Sequence, residues 1–393
     1  MIILAIETSC DETAISIVKR VRAKNVKGEV LSHKILSQID LHRQYGGVFP
    51  ALAKREHAKA ITQLIAEALD EADLLEERSY NAPISLTHRK KLEKLLEREP
   101  DMLSALITLF EGINKPAIDA IAVTKGPGLE PALWVGINCA LALNTVWDIP
   151  IYPVHHMEGH IIASVLNYEN GIYEIPELIS PSIALLISGG HTEIVRFTTF
   201  KPYKVIGSTR DDAVGEAFDK VARSLGMPYP GGPEISSYAT RARNENIMVP
   251  KEWSLPRPML HSDDLDFSFS GLKTAVITLI KKVGELDEEK KKIISLEFEN
   301  AVADVLVSKV KKACFETSSQ TIIVGGGVSA NNHIRESLTN LAKEEDYEIY
   351  LPDRKLSTDN GLMIAFAGLL QIDQGRPPKS KIEAEGTWAL SDL

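Results

Sequence analysis

The chain has 393 residues, enough for two or three domains and a sizeable buried core. Apolar residues make up 44% and charged residues 25%, ordinary globular usage that excludes disordered and collagen-like chains. Lys and Arg total 44 against 54 Asp and Glu, a formal net charge of −10, which excludes an all-over basic surface and leaves room only for a local nucleic-acid contact.

Residues 2–6 form an apolar run that ends in Glu7-Thr8-Ser9-Cys10-Asp11-Glu12, and residues 13–18 are rich in β-branched side chains, which together predict strand, tight turn, strand. The segment at 76–114 is different in composition: the run from Arg89 to Arg98 is charged and helical, between turn signals at 81–83 and 100–101, and is expected to be an inserted helical hairpin. Residues 118–123 predict a buried strand that ends at Lys125-Gly126-Pro127-Gly128, and residues 132–146 a helix. The opening hairpin recurs at 183–197, where an apolar strand leads through Ser188-Gly189-Gly190-His191-Thr192 into a second strand. Residues 211–221 predict a helix with Asp212, Glu216, Asp219 and Lys220 partly on one side, followed by Tyr229-Pro230-Gly231-Gly232-Pro233. The strand at 320–324 runs into Gly325-Gly326-Gly327 and a helix over 332–343. Strands alternating with helices and a repeated hairpin imply an α/β protein of two similar lobes facing a cleft. The expected division is 1–150, 151–356 and a returning segment 357–393.

His156 and His160 are four apart and share one helical face, so their imidazoles can chelate one metal ion. His155 projects about 100° away and is expected to be a neighbour. Helical His pairs of metallopeptidases carry a glutamate directly after the first histidine, whereas here Glu158 is two places on and points elsewhere. Asp359 precedes an apolar helix and is either its N-terminal cap or a third ligand. Two imidazoles and one carboxylate would leave open positions, as a catalytic ion requires. The glycine turns at 188–192 and 325–327 permit close backbone approach and anion-binding nests, or simply tight turns, and Asp219 could accept hydrogen bonds from ribose hydroxyls.

These residues fall into a known order: ETSCDET, HRQYGGVFPALAKREH, TKGPGL, HHMEGH, LISGGHT, GEAFDK, YPGGP, FSFSGLKTAV, GGGVSANN and STDNG. The sequence resembles the bacterial TsaD family of tRNA N6-adenosine threonylcarbamoyltransferases. The resemblance implies a two-lobed actin-like, hexokinase-like ATPase (ASKHA) fold. It also implies transfer of a threonylcarbamoyl group from threonylcarbamoyl-AMP to N6 of the adenosine 3′ of the anticodon. By motif, His156, His160 and Asp359 would hold the metal, iron(II) in this family with zinc as the other choice. Leu186, Ile187, Ser188, Gly189, Gly190, Asp219, Gly232 and Asn331 would bind the adenylate, with backbone amides near Ser188 bearing phosphate charge. Asp11 and Glu12 would be catalytic. The partners implied are tRNA, a TsaB-like paralogue and a TsaE-like ATPase. The chain departs from the pattern at Glu130-Pro131-Ala132 and at Leu141, where a lysine is lost.

Other readings of the same residues are a metallopeptidase, an actin-like ATPase or kinase, and a non-catalytic scaffold. Lys54-Arg55, Arg89 to Lys91, Lys281-Lys282 and Lys290 to Lys292 are candidate phosphate contacts or solvated helix faces. Cys10, Cys139 and Cys314 lie far apart without CxxC spacing, so a reducing, cytoplasmic setting is expected. No apolar run reaches the roughly 18 residues that span a bilayer, and no leader or anchor is expected.

Overall fold

The computed structural model describes residues 1–79 and 83–393, so the turn signal at 81–82 lies outside the described residues. Two compact units result, Met1–Glu177 with Asp359–Ala389, and Leu178–Thr358 with Leu390–Leu393.

The first unit contains β1 (Ile2–Glu7), β2 (Glu12–Val21), β3 (Lys27–Ser37), α1 (Ile39–Arg43), α2 (Pro50–Glu71), α3 (Leu86–Leu95), α4 (Pro100–Gly112), β4 (Ala120–Gly126), α5 (Glu130–Trp147), β5 (Ile151–His155), α6 (His156–Val165), β6 (Asn167–Glu169) and β7 (Ile172–Glu174). Among the described residues its sheet has the order β5-β4-β1-β2-β3-β7-β6. β1 is antiparallel to β2 and parallel to β4, which places it at the sheet's centre, buried on both faces. The period of two then divides its side chains. Leu4 and Ile6 join Ile61 and Ile65 of α2 and Leu133 and Ile137 of α5 in one core. Ile3 faces the other way.

The charged segment at 76–114 forms α3 and α4. Ser85 caps α3 by accepting a hydrogen bond from His88 N at 3.1 Å. Leu92, Leu96, Met102, Leu106 and Phe110 are buried in the core built by α2 and α5, and Phe110 meets Trp147 edge-on at 5.1 Å. The segment is thus a packed part of the first unit.

The second unit contains β8 (Ser182–Ile187), β9 (Thr192–Phe197), β10 (Lys204–Ser208), α7 (Val214–Ser224), α8 (Gly231–Asn244), α9 (Ser270–Val283), α10 (Glu288–Thr317), β11 (Thr321–Gly325), α11 (Asn332–Glu344) and β12 (Glu348–Tyr350). Its sheet order is β10-β9-β8-β11-β12, with β8 antiparallel to β9 and parallel to β11. This repeats the β3-β2-β1-β4-β5 portion of the first sheet, strand for strand and direction for direction. The chain re-enters the first unit with α12 (Gly361–Asp373), which packs on β1, β2, β4 and α6, and Gly368 lies so close to Ala122 that a Cβ there would sit 2.7 Å from it.

Two boundaries differ from the sequence reading. A second lobe was expected from residue 151, but β5 pairs in parallel with β4, Ile121 opposite Ile151, so β5 and α6 belong to the first unit, which runs to Glu177. The helix expected from residue 211 begins at Val214. Asp211 instead accepts hydrogen bonds from Phe269 N and from the Ser268 and Ser270 hydroxyls at the start of α9. An acidic pair ahead of a helix has the composition of a first turn, but this carboxylate serves a helix far along the chain.

Candidate active site

α6 begins directly after β5, so the helix is aimed by a strand of the sheet. His155 is its N-cap: its Nδ1 accepts from Met157 N, and its Nε2 donates to Trp388 O at 3.0 Å. That use fixes the ring away from any ligand role. His156 and His160 stand one turn apart, with ring centroids 4.7 Å apart. Their Nε2 atoms lie 3.4 and 3.2 Å from Asp359 Oδ1. Donor atoms of all three residues fall within 4.8 Å of one another, and the set of two imidazoles and a carboxylate fits a divalent ion. Asp359 does not cap α12. Asn360 does, its Oδ1 accepting from Met363 N at 2.9 Å. The cap being filled by its neighbour, Asp359 faces the histidines.

Behind His156 lies a residue that sequence reasoning missed. Glu7, fully buried at the end of β1, has Oε2 3.2 Å from His156 Nδ1. The same carboxylate accepts from Ser9 N and from the Thr124 hydroxyl, each at 2.5 Å. A carboxylate on Nδ1–H holds the imidazole with its Nε2 lone pair facing the ligand site, the usual outer support of a metal-bound histidine. Burial alone would lower the His156 pKa, but Asp359 and Glu7 outweigh it and hold it at about 9 in the absence of an ion.

The acidic turn adjoins this cluster. Burial raises the Asp11 and Glu12 carboxyls and the charge of Asp359 adds to it, which brings Glu12 to about 10. The turn's backbone is tied down: Asp11 O accepts from Gln38 N at 2.9 Å, and Cys10 O from His57 Nε2 at 3.0 Å. Gly128 approaches it so closely that a Cβ would lie 2.7 Å from Ser9 Cβ, which brings the TKGPGL loop against the turn.

The second unit holds a cavity of about 590 Å³ whose walls include Gly189, Asp219, Gly232, Asn331, Arg241 and Arg354, within the range of small-molecule sites. Asp219 Oδ1 accepts from Gly231 N at 2.7 Å, and the Gly232 amide also bonds to this carboxylate. Burial raises its pKa against those backbone donors. Asn331 caps α11 through Oδ1 and donates to buried Glu299 at 2.6 Å, so most of its hydrogen-bonding capacity is internal. Leu186 and Ile187 are fully buried in β8 and point no side chain into the cavity. The expected phosphate nest is partly spent: Ser188 N donates to His191 O, and Gly190 N and His191 N donate to Ser188 Oγ. Gly189 is the turn residue that lines the cavity. Arg241 and Arg354, cations suited to a phosphate, lay outside the glycine motifs and were missed by sequence reasoning.

A sequence model described as TsaD, tRNA N6-adenosine threonylcarbamoyltransferase, matches residues 29–78 and 88–366. This chain belongs to the TsaD family. Between residues 29 and 366 the match is interrupted over 79–87; it resumes within α3 and covers α4. Two curated proteins named tRNA N6-adenosine threonylcarbamoyltransferase agree along almost their whole lengths. The one from Methylobacillus flagellatus is 38% identical, covering 100% of this chain and 99% of the relative. The one from Staphylococcus aureus strain JH9 is 41% identical, covering 96% and 93%. Among solved structures, full-length HypF in its phosphate- and nucleotide-bound form superposes at a TM-score of 0.51 and 14% identity, over 94% of this chain and 55% of HypF. At that identity the likeness is one of fold, the ASKHA α/β class with a duplicated sheet. In this TsaD-family chain, Asp11, Glu12, His156, His160 and Asp359 gather in the first unit, and Gly189, Asp219, Gly232 and Asn331 line one cavity of the second.

Proposed function

We propose that the chain transfers a threonylcarbamoyl group from its mixed anhydride with AMP to N6 of the adenosine immediately 3′ of the anticodon, in tRNAs reading codons that begin with A. Family membership over nearly the full length carries this reading. In the reaction, the N6 lone pair attacks the carbamoyl carbonyl carbon, the bond from that carbon to the phosphate oxygen breaks, AMP leaves with the electron pair, and N6 loses a proton. The leaving group is good and the exocyclic amine a weak nucleophile, so positioning and proton removal supply most of the acceleration. Asp11, whose carboxyl is raised by burial above the usual carboxylate range, is suited to take that proton, whereas Glu12, at about 10, is protonated near neutral pH and suited to donate a hydrogen bond to the reacting groups. In the second unit, the Asp219 carboxylate on the cavity wall suits ribose hydroxyls, and Arg241 and Arg354 suit phosphate.

His156, His160 and Asp359 would hold one divalent ion, iron(II) by their donor set with zinc as the other choice, with Glu7 orienting His156. When bound, such an ion polarises and orients ligand oxygens. A peptidase is not favoured: Glu158 is fully buried and turned to Gln371 at 3.4 Å and Arg376 at 3.9 Å, where it has no place as a base beside the His pair. The proposed setting is cytoplasmic, with a TsaB-like paralogue and a TsaE-like ATPase as partners; among the described residues no helix is long and apolar enough to cross a membrane. The test is transfer of labelled threonine to tRNA from preformed adenylate, in the presence of those partners. His160→Ala should abolish transfer and metal content together. Full transfer by that variant with unchanged metal would remove the metal assignment, and no transfer by metal-loaded wild type would remove the function.

A further inference from the structure

The loop between α1 and α2 carries two large aromatic side chains that the core does not use. Tyr45 is 62% exposed and Phe49 55% exposed, and their rings lie roughly parallel with centroids 6.2 Å apart. Directly beyond Phe49, the first turns of α2 and the start of α4 enclose a groove of about 220 Å³ whose walls include Lys54, Arg55, Lys59 and Arg98 against the acids Glu99 and Asp101. Lys54 is held by Glu99 at 2.6 Å, whereas Arg55 and Lys59 share the single carboxylate of Glu56. The groove therefore carries a positive surplus in a chain whose net charge is −10.

This loop is joined to the acidic turn by a chain of hydrogen bonds with one consistent direction. His57 Nε2 donates to Cys10 O, so its Nδ1 is an acceptor, for the Thr13 hydroxyl at 2.7 Å and Gln38 Nε2 at 3.2 Å. Gln38 Oε1 then accepts from His42 Nε2 at 3.2 Å, and His42 Nδ1 accepts from Phe49 N at 3.3 Å. Both histidines are fully buried. The aromatic pair is thus held on the same rigid framework as Asp11.

We propose that Tyr45 and Phe49, with the groove that begins beside them, form an RNA-contact surface that stacks an unpaired base of the tRNA and follows its flanking phosphates. The inference rests on the transferase reading, since an acceptor adenosine outside the duplex presents unpaired neighbours. Proteins recognise such bases by stacking them on aromatic rings and tracking their phosphates with cations. Solvent-facing Tyr and Phe beside a basic groove supply both contacts, and the charge surplus favours RNA over a protein as occupant.

The test is binding of a fluorescent anticodon stem–loop RNA to the full chain, with transfer of labelled threonine measured in parallel. Tyr45→Ala with Phe49→Ala should raise the Kd about 5- to 150-fold, the range of one lost base stack, with the salt dependence unchanged. Tyr45→Phe should bind within twofold of wild type. Arg55→Ala with Lys59→Ala should flatten the slope of log K against log salt by about 0.7 for each phosphate contact removed. Unchanged RNA affinity in the folded double aromatic variant overturns the proposal, as does its losing a protein partner while keeping the RNA, or a wild type that does not bind the RNA. Aromatic-dependent binding without transfer by wild type would leave this surface standing and remove the transferase reading instead.

Discussion

Replacing Glu7 by glutamine keeps the size and shape of a side chain that is fully buried, so the change isolates its charge and acceptor. The amide oxygen can still accept from Ser9 N, and the Thr124 hydroxyl can reverse its bond. At the position of Oε2, however, an NH₂ group would meet His156 Nδ1, now 3.2 Å away. Two donors cannot share that contact, so the imidazole shifts toward the tautomer with Nδ1 bare and Nε2 protonated, which removes the lone pair aimed at Asp359 and the metal. Ser9 Oγ, 3.1 Å from Nδ1, offers a weaker acceptor and limits the loss. Loss of such a support costs about 10- to 100-fold in metal affinity, or about 1.4 to 2.7 kcal/mol. Competition of zinc or iron(II) between the protein and a chromophoric chelator measures this directly. Thr124→Val, which removes a donor to Glu7 but leaves its charge, should change the affinity by less than about threefold. A folded Glu7→Gln protein that binds metal within twofold of wild type would refute the argument.

Metal affinity should also rise with pH. With the His156 pKa at about 9 in the ion-free protein, the ion must displace its proton below that pH, so each unit gained between pH 6 and 8 tightens binding about tenfold from this group alone; a flat profile in the same chelator assay would contradict it. His57 predicts a separate effect on stability. Burial lowers its pKa from 6.5 to about 4, so the unfolded chain binds the extra proton first, and stability is lost as pH falls from 6.5 to 4 and not further. The His57 share of the loss is about 3 kcal/mol, so the difference in urea unfolding stability between pH 7.5 and 4 should be smaller by that amount in His57→Gln than in wild type. Gly326 has φ +90°, and a Cβ there would sit 2.5 Å from Ile187 O; Gly326→Ala should therefore lower stability by more than about 1 kcal/mol in the same measurement.

The features legible in the sequence are those whose period is local. The spacing of His156 and His160 is itself the geometry of a helical face, and the repeated apolar hairpins give two matching strand pairs. What was illegible depends on long-range pairing. Nothing near residue 151 says that β5 is claimed by β4 and not by the following strands. Asp359 and Asn360 are adjacent and chemically able to cap the same helix, and only the fold assigns the cap to one and the histidines to the other. Glu7 reads as the polar end of an apolar strand, because its partner His156 lies 149 positions away. Gly189 and Gly190 read as one nest, but the hydroxyl of Ser188 takes up the amide of Gly190.

The duplicated sheets make the case for Glu7 from a second direction. In the first unit a four-residue turn, Thr8-Ser9-Cys10-Asp11, joins β1 to β2; in the second, Ser188-Gly189-Gly190-His191 joins β8 to β9 at the same topological position. Register makes Glu7 the counterpart of Leu186, since Glu7 lies opposite Ala14 and Leu186 opposite Glu193, with six residues between the partners in each hairpin. Leu186 is fully buried, so this architecture is satisfied at that position by an aliphatic side chain. A carboxylate there must be desolvated and then compensated by Ser9, Thr124 and His156, at a cost that a leucine avoids. Folding does not require the charge. The chemistry beside it does: the first unit's turn carries carboxylates next to the His pair, whereas the second unit's turn carries glycines beside a cavity. One topology thus carries carboxylates beside the His pair in one copy and a glycine turn that lines a cavity in the other.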